Sequence, residues 1–157
     1  MKLEIGCGVR HHKGYKTIDV ESYANPDYLG DFRTMTFENV DEIRSHHLLE
    51  HFDRLEAWDV LKLWASWLKK GGVLLIETPD LEGICEEFLK RKHPRNRYWL
   101  SRHLYGSQEK EWAFHKDAWW EDKFKAILPK CGFKVTDIKK SASRVYLSNL
   151  TVRAIKL

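Results

Sequence analysis

The stretch Lys2-Leu3-Glu4-Ile5-Gly6-Cys7-Gly8 decides how the rest of the chain reads. A short apolar-flanked strand runs straight into two glycines spaced by one residue. Glycine at such a bend tolerates positive φ and lets a bulky ligand approach the main chain without meeting a Cβ. The acid at Glu4, just before the turn, argues against a phosphate loop, because a nearby carboxylate repels phosphate and attracts an ammonium or sulfonium group. Asp19 follows in Thr17-Ile18-Asp19-Val20, where a second short strand should end. A carboxylate there can accept both hydroxyl protons of a ribose.

With these residues in place, a family resemblance becomes visible. Glu4-Ile5-Gly6-Cys7-Gly8, Asp19, Asp31-Phe32 and Leu49-Glu50-His51-Phe52 resemble the class I S-adenosylmethionine (SAM)-dependent methyltransferases. The closer likeness is to a small subgroup of predicted bacterial and viral members. It continues through Leu68-Lys69-Lys70-Gly71-Gly72, Thr78-Pro79-Asp80-Leu81, Leu104-Tyr105-Gly106, Phe114-His115-Lys116 and Cys131-Gly132-Phe133, and so covers nearly the whole chain.

The resemblance implies an α/β, doubly wound, Rossmann-like domain over residues 1–157, mostly parallel, with an antiparallel closing strand. It implies SAM as cofactor, contacted by Glu4, Gly6, Cys7, Gly8, Asp19, Val20, Asp31, Phe32, His46 and His47. Asp31 would accept the adenine amino protons, and Phe32 would cover the ring face. Two departures stand out. The usual third glycine is missing, with Arg10 or His11 in its place, and only Val9 to Lys16 separate the glycine turn from the second strand. A crossover helix needs about ten residues or more, so the first helix should be reduced to a turn or lost.

Composition places limits on function. The 157 residues, 43% hydrophobic and 32% charged, describe one soluble globular domain with a single sheet and flanking helices. No apolar run reaches membrane-spanning length, and Met1 leads directly into the first strand, so neither a membrane span nor a signal peptide is expected. Three scattered cysteines, Cys7, Cys85 and Cys131, fit reduced thiols in a cytoplasmic setting. A net charge of +4 permits an anionic partner without requiring one. Oligomeric state is not legible in the sequence.

Further along, Tyr28-Leu29-Gly30 reads as a third strand and Glu42 to His47 as the fourth with its exit. Asp53 with Glu56 forms a capping box for a helix whose apolar positions are Leu55, Trp58, Leu61, Ala65 and Leu68, closed by Gly71-Gly72. Val73 to Glu77 reads as a buried strand and Glu82 to Lys90 as a helix. Lys90 to His103 is strongly basic and reads as a helix end and loop. Leu104 to Lys116 reads as a long aromatic connection of the kind that covers a site. Asp117 should cap a last helix through Leu128, followed by strands at Phe133–Lys139 and Val145–Lys156.

Ligands of such a sheet gather outside the carboxyl ends of the strands, which draws attention to the histidines. His47 and His115 are the candidate proton acceptors for a hydroxyl substrate, since imidazole suits that task near neutral pH. His47-Leu48-Leu49-Glu50-His51 also matches an H-x-x-E-H zinc pattern. His47 at a strand end and His51 before a helix cap would not share a helical face, so no metal is expected. The expected reaction is methyl transfer to a small-molecule or carbohydrate-type acceptor. Methylation of RNA or another polyanion through the basic segment is the rival enzyme reading, and a non-catalytic SAM-binding module is the rival of another class. A nicotinamide-binding protein fits least, for want of the third glycine and because Glu4 would repel a pyrophosphate.

Overall fold

A computed structural model describes residues 1–144 and 147–157. Seven strands form one sheet: β1 (Lys2–Ile5), β2 (Lys16–Asp19), β3 (Tyr28–Leu29), β4 (Val40–His46), β5 (Leu68–Pro79), β6 (Phe133–Arg144) and β7 (Leu147–Lys156). Their spatial order is β3-β2-β1-β4-β5-β7-β6. β1 to β5 pair in parallel, whereas β7 runs antiparallel to both β5 and β6. The expected doubly wound sheet with an antiparallel closing strand is therefore present. Val145, where the last strand was expected to begin, lies outside the described residues.

Among the described residues four α-helices complete the fold: α1 (Arg54–Trp67), α2 (Leu81–Lys90), α3 (Pro94–Tyr105) and α4 (Glu121–Ile127). The crossover between β1 and β2 holds no helix, as its length required. A polar cluster covers that face of the sheet instead. Leu3 and Ile5 point into the core, so Glu4 between them points to the opposite face. There its carboxylate accepts the His12 N–H at 2.9 Å and meets His12 Nδ1 at 2.5 Å, while Tyr15 bonds Glu42 beside it.

The main core packs α1 and α4 against the sheet. Trp64 and Trp67 are fully buried, with Phe32, Phe37 and Phe52 around them at ring distances of 5.0–6.3 Å. Truncating such a tryptophan to alanine would cost about 3–5 kcal/mol. Both halves of the α1 capping box form: the Asp53 carboxylate accepts from Leu55 and Glu56 N–H, and Glu56 accepts from Asp53 N–H. The buried face is Ala57, Val60, Leu61, Trp64 and Ala65, and Leu55 stands exposed.

Several boundaries differ from expectation. α1 stops at Trp67 because Leu68 already pairs with Val40 in β5, so Gly71-Gly72 sits inside an irregular strand start rather than at a helix end. Residues 94–105 form a helix, not a loop: Pro94 opens it, and His93 Nδ1 accepts the Arg95 N–H. Leu100 then anchors it in a second small core with Ile84 and Leu147. Asp117 does not cap α4. Trp119 is tied in extended form beside Asp80, and its carbonyl accepts the Leu81 N–H at 2.9 Å, so no helix can begin before Glu121. Asp117 instead pairs with Lys123 at 2.5 Å.

Candidate functional site

A cavity of about 330 Å³ opens at the carboxyl ends of β1 to β4. Its floor is the glycine turn. Gly6 has φ +69°, and a Cβ there would press on Leu48 at 3.1 Å, so both conformation and space call for glycine. The turn is closed from β2: Asp19 accepts the Gly8 N–H at 2.8 Å with one oxygen and the Glu21 N–H at 2.9 Å with the other. Asp19 thus fixes the two loops between which a ligand would lie. Gly6, Gly8, Asp19, Val20, Asp31, Phe32 and His47 all border the cavity.

Cys7, Glu4, His46 and His115 do not. The Cys7 thiol is turned inward, and burial followed by the charges of Asp19 and Glu4 pushes its pKa up to about 11. It is a packing residue whose thiolate is suppressed. The Glu4 carboxylate, expected to favour a bound cation, meets His12 and lies outside the cavity lining. His46 stands against His12 with ring centres 5.8 Å apart, and burial keeps it neutral by lowering its pKa.

Around the rim, Asp31 accepts from the Arg33 guanidinium at 2.8–3.1 Å, which holds its carboxyl below the usual range. Phe32 lies beneath, wedged between Phe52 and Trp64. On the far side the connection 106–116 crosses the cavity. Trp112 Nε1–H and Lys110 both donate to Glu21 Oε1, at 2.9 and 3.0 Å, and Trp112 and Lys116 become cavity wall. Sequence reasoning did not single out Glu21 or Trp112. The expected covering connection was visible only by its length and aromatic content.

Beyond β4 the character changes. His47 takes φ +49°, placing its ring between two acids: Nδ1 lies 3.1 Å from Glu50 Oε1 and Nε2 3.4 Å from Glu77 Oε1. Burial opposes its protonation, yet the bonds to Glu50 and Glu77 prevail and raise its pKa to about 9. With both ring nitrogens facing carboxylates, His47 could remove a proton only in competition with those contacts. Glu77, bonded by His47 and Thr151, is pulled down to about 2. His103 adds Nε2 at 2.9 Å from Asn149 Oδ1.

His115 is largely buried, and burial lowers its pKa, so it is neutral near pH 7. Its Nδ1 lies 3.2 Å from the Leu104 carbonyl and its Nε2 3.9 Å from Glu50 Oε1. It stacks edge to face on His51, which does border the cavity. The H-x-x-E-H zinc geometry is not formed, because His47 is locked between acids. The fold instead brings His115, distant in sequence, beside Glu50 and His51.

The basic segment is mostly paired within the chain. Lys90 and Arg91 meet Glu87, Arg102 meets Glu109, and the Arg97 guanidinium lies over Phe88. Among the described residues, no helix is long and apolar enough to cross a membrane.

No protein-family model matches the sequence, and no curated protein does. Solved structures do resemble it. A SAM-dependent methyltransferase from Methanosarcina mazei aligns over 99% of this chain and 92% of its own, at 17% identity and a TM-score of 0.69. The 1,6-didemethyltoxoflavin-N1-methyltransferase of Burkholderia thailandensis, solved with its substrate and S-adenosylhomocysteine, aligns over 99% and 70%, at 14% identity and a TM-score of 0.69. A possible exported protein from Bordetella parapertussis aligns over 99%, at 15% identity and a TM-score of 0.64, and this chain spans 61% of its length. At these identities the likeness carries the architecture, and the chain has the fold of the class I SAM-dependent methyltransferases.

Proposed function

We propose that the protein transfers a methyl group from SAM to a small-molecule or carbohydrate-type acceptor through a hydroxyl. The observation that carries this reading is the cavity itself. It combines a tight glycine turn, a carboxylate at the end of β2, an acid and an aromatic after β3, and a wall with His47 and His51 after β4. That sequence of groups suits ribose, adenine and a reactive sulfonium in turn. The Burkholderia enzyme, which binds S-adenosylhomocysteine and a small heterocycle on the same fold, supports the small-acceptor reading.

The sulfonium supplies a good leaving group, so the protein has mainly to align the acceptor and remove its proton. Trp112 and Lys116 on the crossing connection would exclude water from that alignment. His115 lies behind the cavity-lining His51, ring against ring, and is the histidine this reading assigns to proton removal once an acceptor is bound beside that pair.

The direct test is titration with S-adenosylhomocysteine. It should raise the melting temperature and bind in a calorimeter, because a ligand specific for the native state stabilises it by mass action. Stabilisation by NAD but not by SAM or its product would remove the reading.

A further inference from the structure

Glu50 and His51 sit in the turn after β4, and His115 arrives from the connection that crosses the cavity. One ligand-capable atom from each of the three lies within 4.8 Å of the others. The two segments are already tied together, since Lys116 and Asp117 N–H donate to the Glu50 carbonyl at 2.8 and 3.2 Å.

Both rings are held in the same way. His51 Nδ1 is 3.0 Å from the Phe114 carbonyl, and His115 Nδ1 is 3.2 Å from that of Leu104. A carbonyl only accepts, so each Nδ1 carries the proton and each Nε2 keeps its lone pair. Metal-ligating histidines are oriented by this kind of bond at the other nitrogen. Glu50 provides an independent observation. It is 1% exposed, and its Oε2 is buried without a hydrogen-bond partner. Two imidazole lone pairs and a buried carboxylate brought this close repel one another unless a cation sits among them.

We propose that Glu50, His51 and His115 bind a divalent first-row metal ion, zinc being the best match to two neutral imidazoles and one carboxylate. Ligand atoms around zinc lie roughly 3.4 Å apart, so the trio must close slightly, which rotation of the partly exposed His51 can supply. His47 is no part of the set, because both its nitrogens face carboxylates.

Three protein ligands leave a further position open, as in catalytic rather than structural zinc sites. His51 borders the cavity, which brings that position within reach of a bound acceptor. The proposal rests on the methyl-transfer reading and refines the part of His115, which would act by holding the ion. An acceptor hydroxyl on the ion would lose its proton to water more readily. The oxygen would then bond to the methyl carbon as the carbon–sulfur bond breaks, and the sulfur would keep the electron pair.

The full chain, loaded with Zn²⁺ and dialysed against metal-free buffer, should retain about one ion per chain by mass spectrometry. His51→Asn and His115→Asn should each lower retention by at least about tenfold. Circular dichroism would establish that each variant is folded, and His93→Ser, at the start of α3, should keep full retention. X-ray absorption on the zinc-loaded wild type needs no variant and should show imidazole and oxygen donors. Retention below about a tenth of an ion, unchanged retention in both variants, or a sulfur-rich shell would overturn the site. S-adenosylhomocysteine binding without metal retention would sink the metal and leave methyl transfer standing. Metal retention without S-adenosylhomocysteine binding would do the reverse.

Discussion

The two halves of the sheet's carboxyl edge are built by different means. Over β1 to β3 the site is made of main chain: a glycine turn and the loop after β2, joined by the Asp19 carboxylate, which accepts one N–H from each. Over β4 and β5 it is made of side chains: His47, Glu50, Glu77, His103 and His115, drawn from four separated segments. The first half presents shape, and the second presents charge and lone pairs. On the proposed reading the first half would hold SAM by one local geometry, whereas the second would be assembled for the chemistry of its acceptor.

The sharpest way to break this contrast is to remove the acid at the centre of the second half. Glu50→Ala would strand the His47 imidazolium with one partner instead of two. His47 is 38% exposed and keeps Glu77, so losing one partner of this pair costs about 1–3 kcal/mol. For a chain of this length that is a fall of roughly 2–12 °C in melting temperature, measurable by calorimetry in chelator. A fall below about 2 °C would mean that the second half is not held together by its charges.

A comparable insult to the first half should spare stability more and binding less. Asp19→Asn keeps an acceptor for one N–H but removes the charge that holds both loops. S-adenosylhomocysteine affinity should drop about tenfold to a hundredfold, since bonds to a charged acceptor are worth about 1.5–3 kcal/mol. Unchanged affinity by titration calorimetry would detach Asp19 from the ligand.

This difference in construction also explains what the sequence revealed. The glycine turn, Asp19, Asp31-Phe32 and the missing first helix are local, so their spacing could be read directly. The His12 partner of Glu4 was not legible, because strand alternation turns Glu4 to the face left bare by that missing helix. α3 was hidden because Arg95, Arg97 and Arg102 dilute its apolar stripe, and of its residues Leu100 alone is fully buried. His47 looked like a base by type. Its protonation depends on Glu77, thirty positions away along the sequence and adjacent only through β4–β5 pairing. The trio of Glu50, His51 and His115 was out of reach for the same reason.

A smaller effect should appear in acid. Glu77, bonded to His47, has its pKa lowered from 4.5 to about 2. A depressed carboxyl stabilises the fold fully above its unfolded value and loses that contribution as pH falls through the folded one. Urea stability should therefore decline between about pH 4.5 and pH 2, and Glu77→Gln should flatten part of that decline. An acid limb identical in the variant would show that the second half does not depend on the Glu77–His47 contact.

The smallest expected effect is none, and it concerns which acceptor the second half serves. α3 forms part of the wall there through His103, and its other face is basic, which makes a polyanion the natural competitor to a small acceptor. The geometry weakens that competitor, because Lys90 and Arg91 are turned to Glu87 and Arg102 to Glu109. Charges already paired release few counterions on meeting a phosphate chain. A single-stranded RNA that truly engaged this face would lose affinity with a log–log salt slope of about −0.7 per phosphate contacted. Fluorescence anisotropy between low and moderate salt should instead show weak binding with a slope near zero. A steep slope, abolished by Lys92→Glu with Arg95→Glu, would make the acceptor a polyanion. The histidines and acids of the second half would then be serving a nucleotide rather than a free hydroxyl.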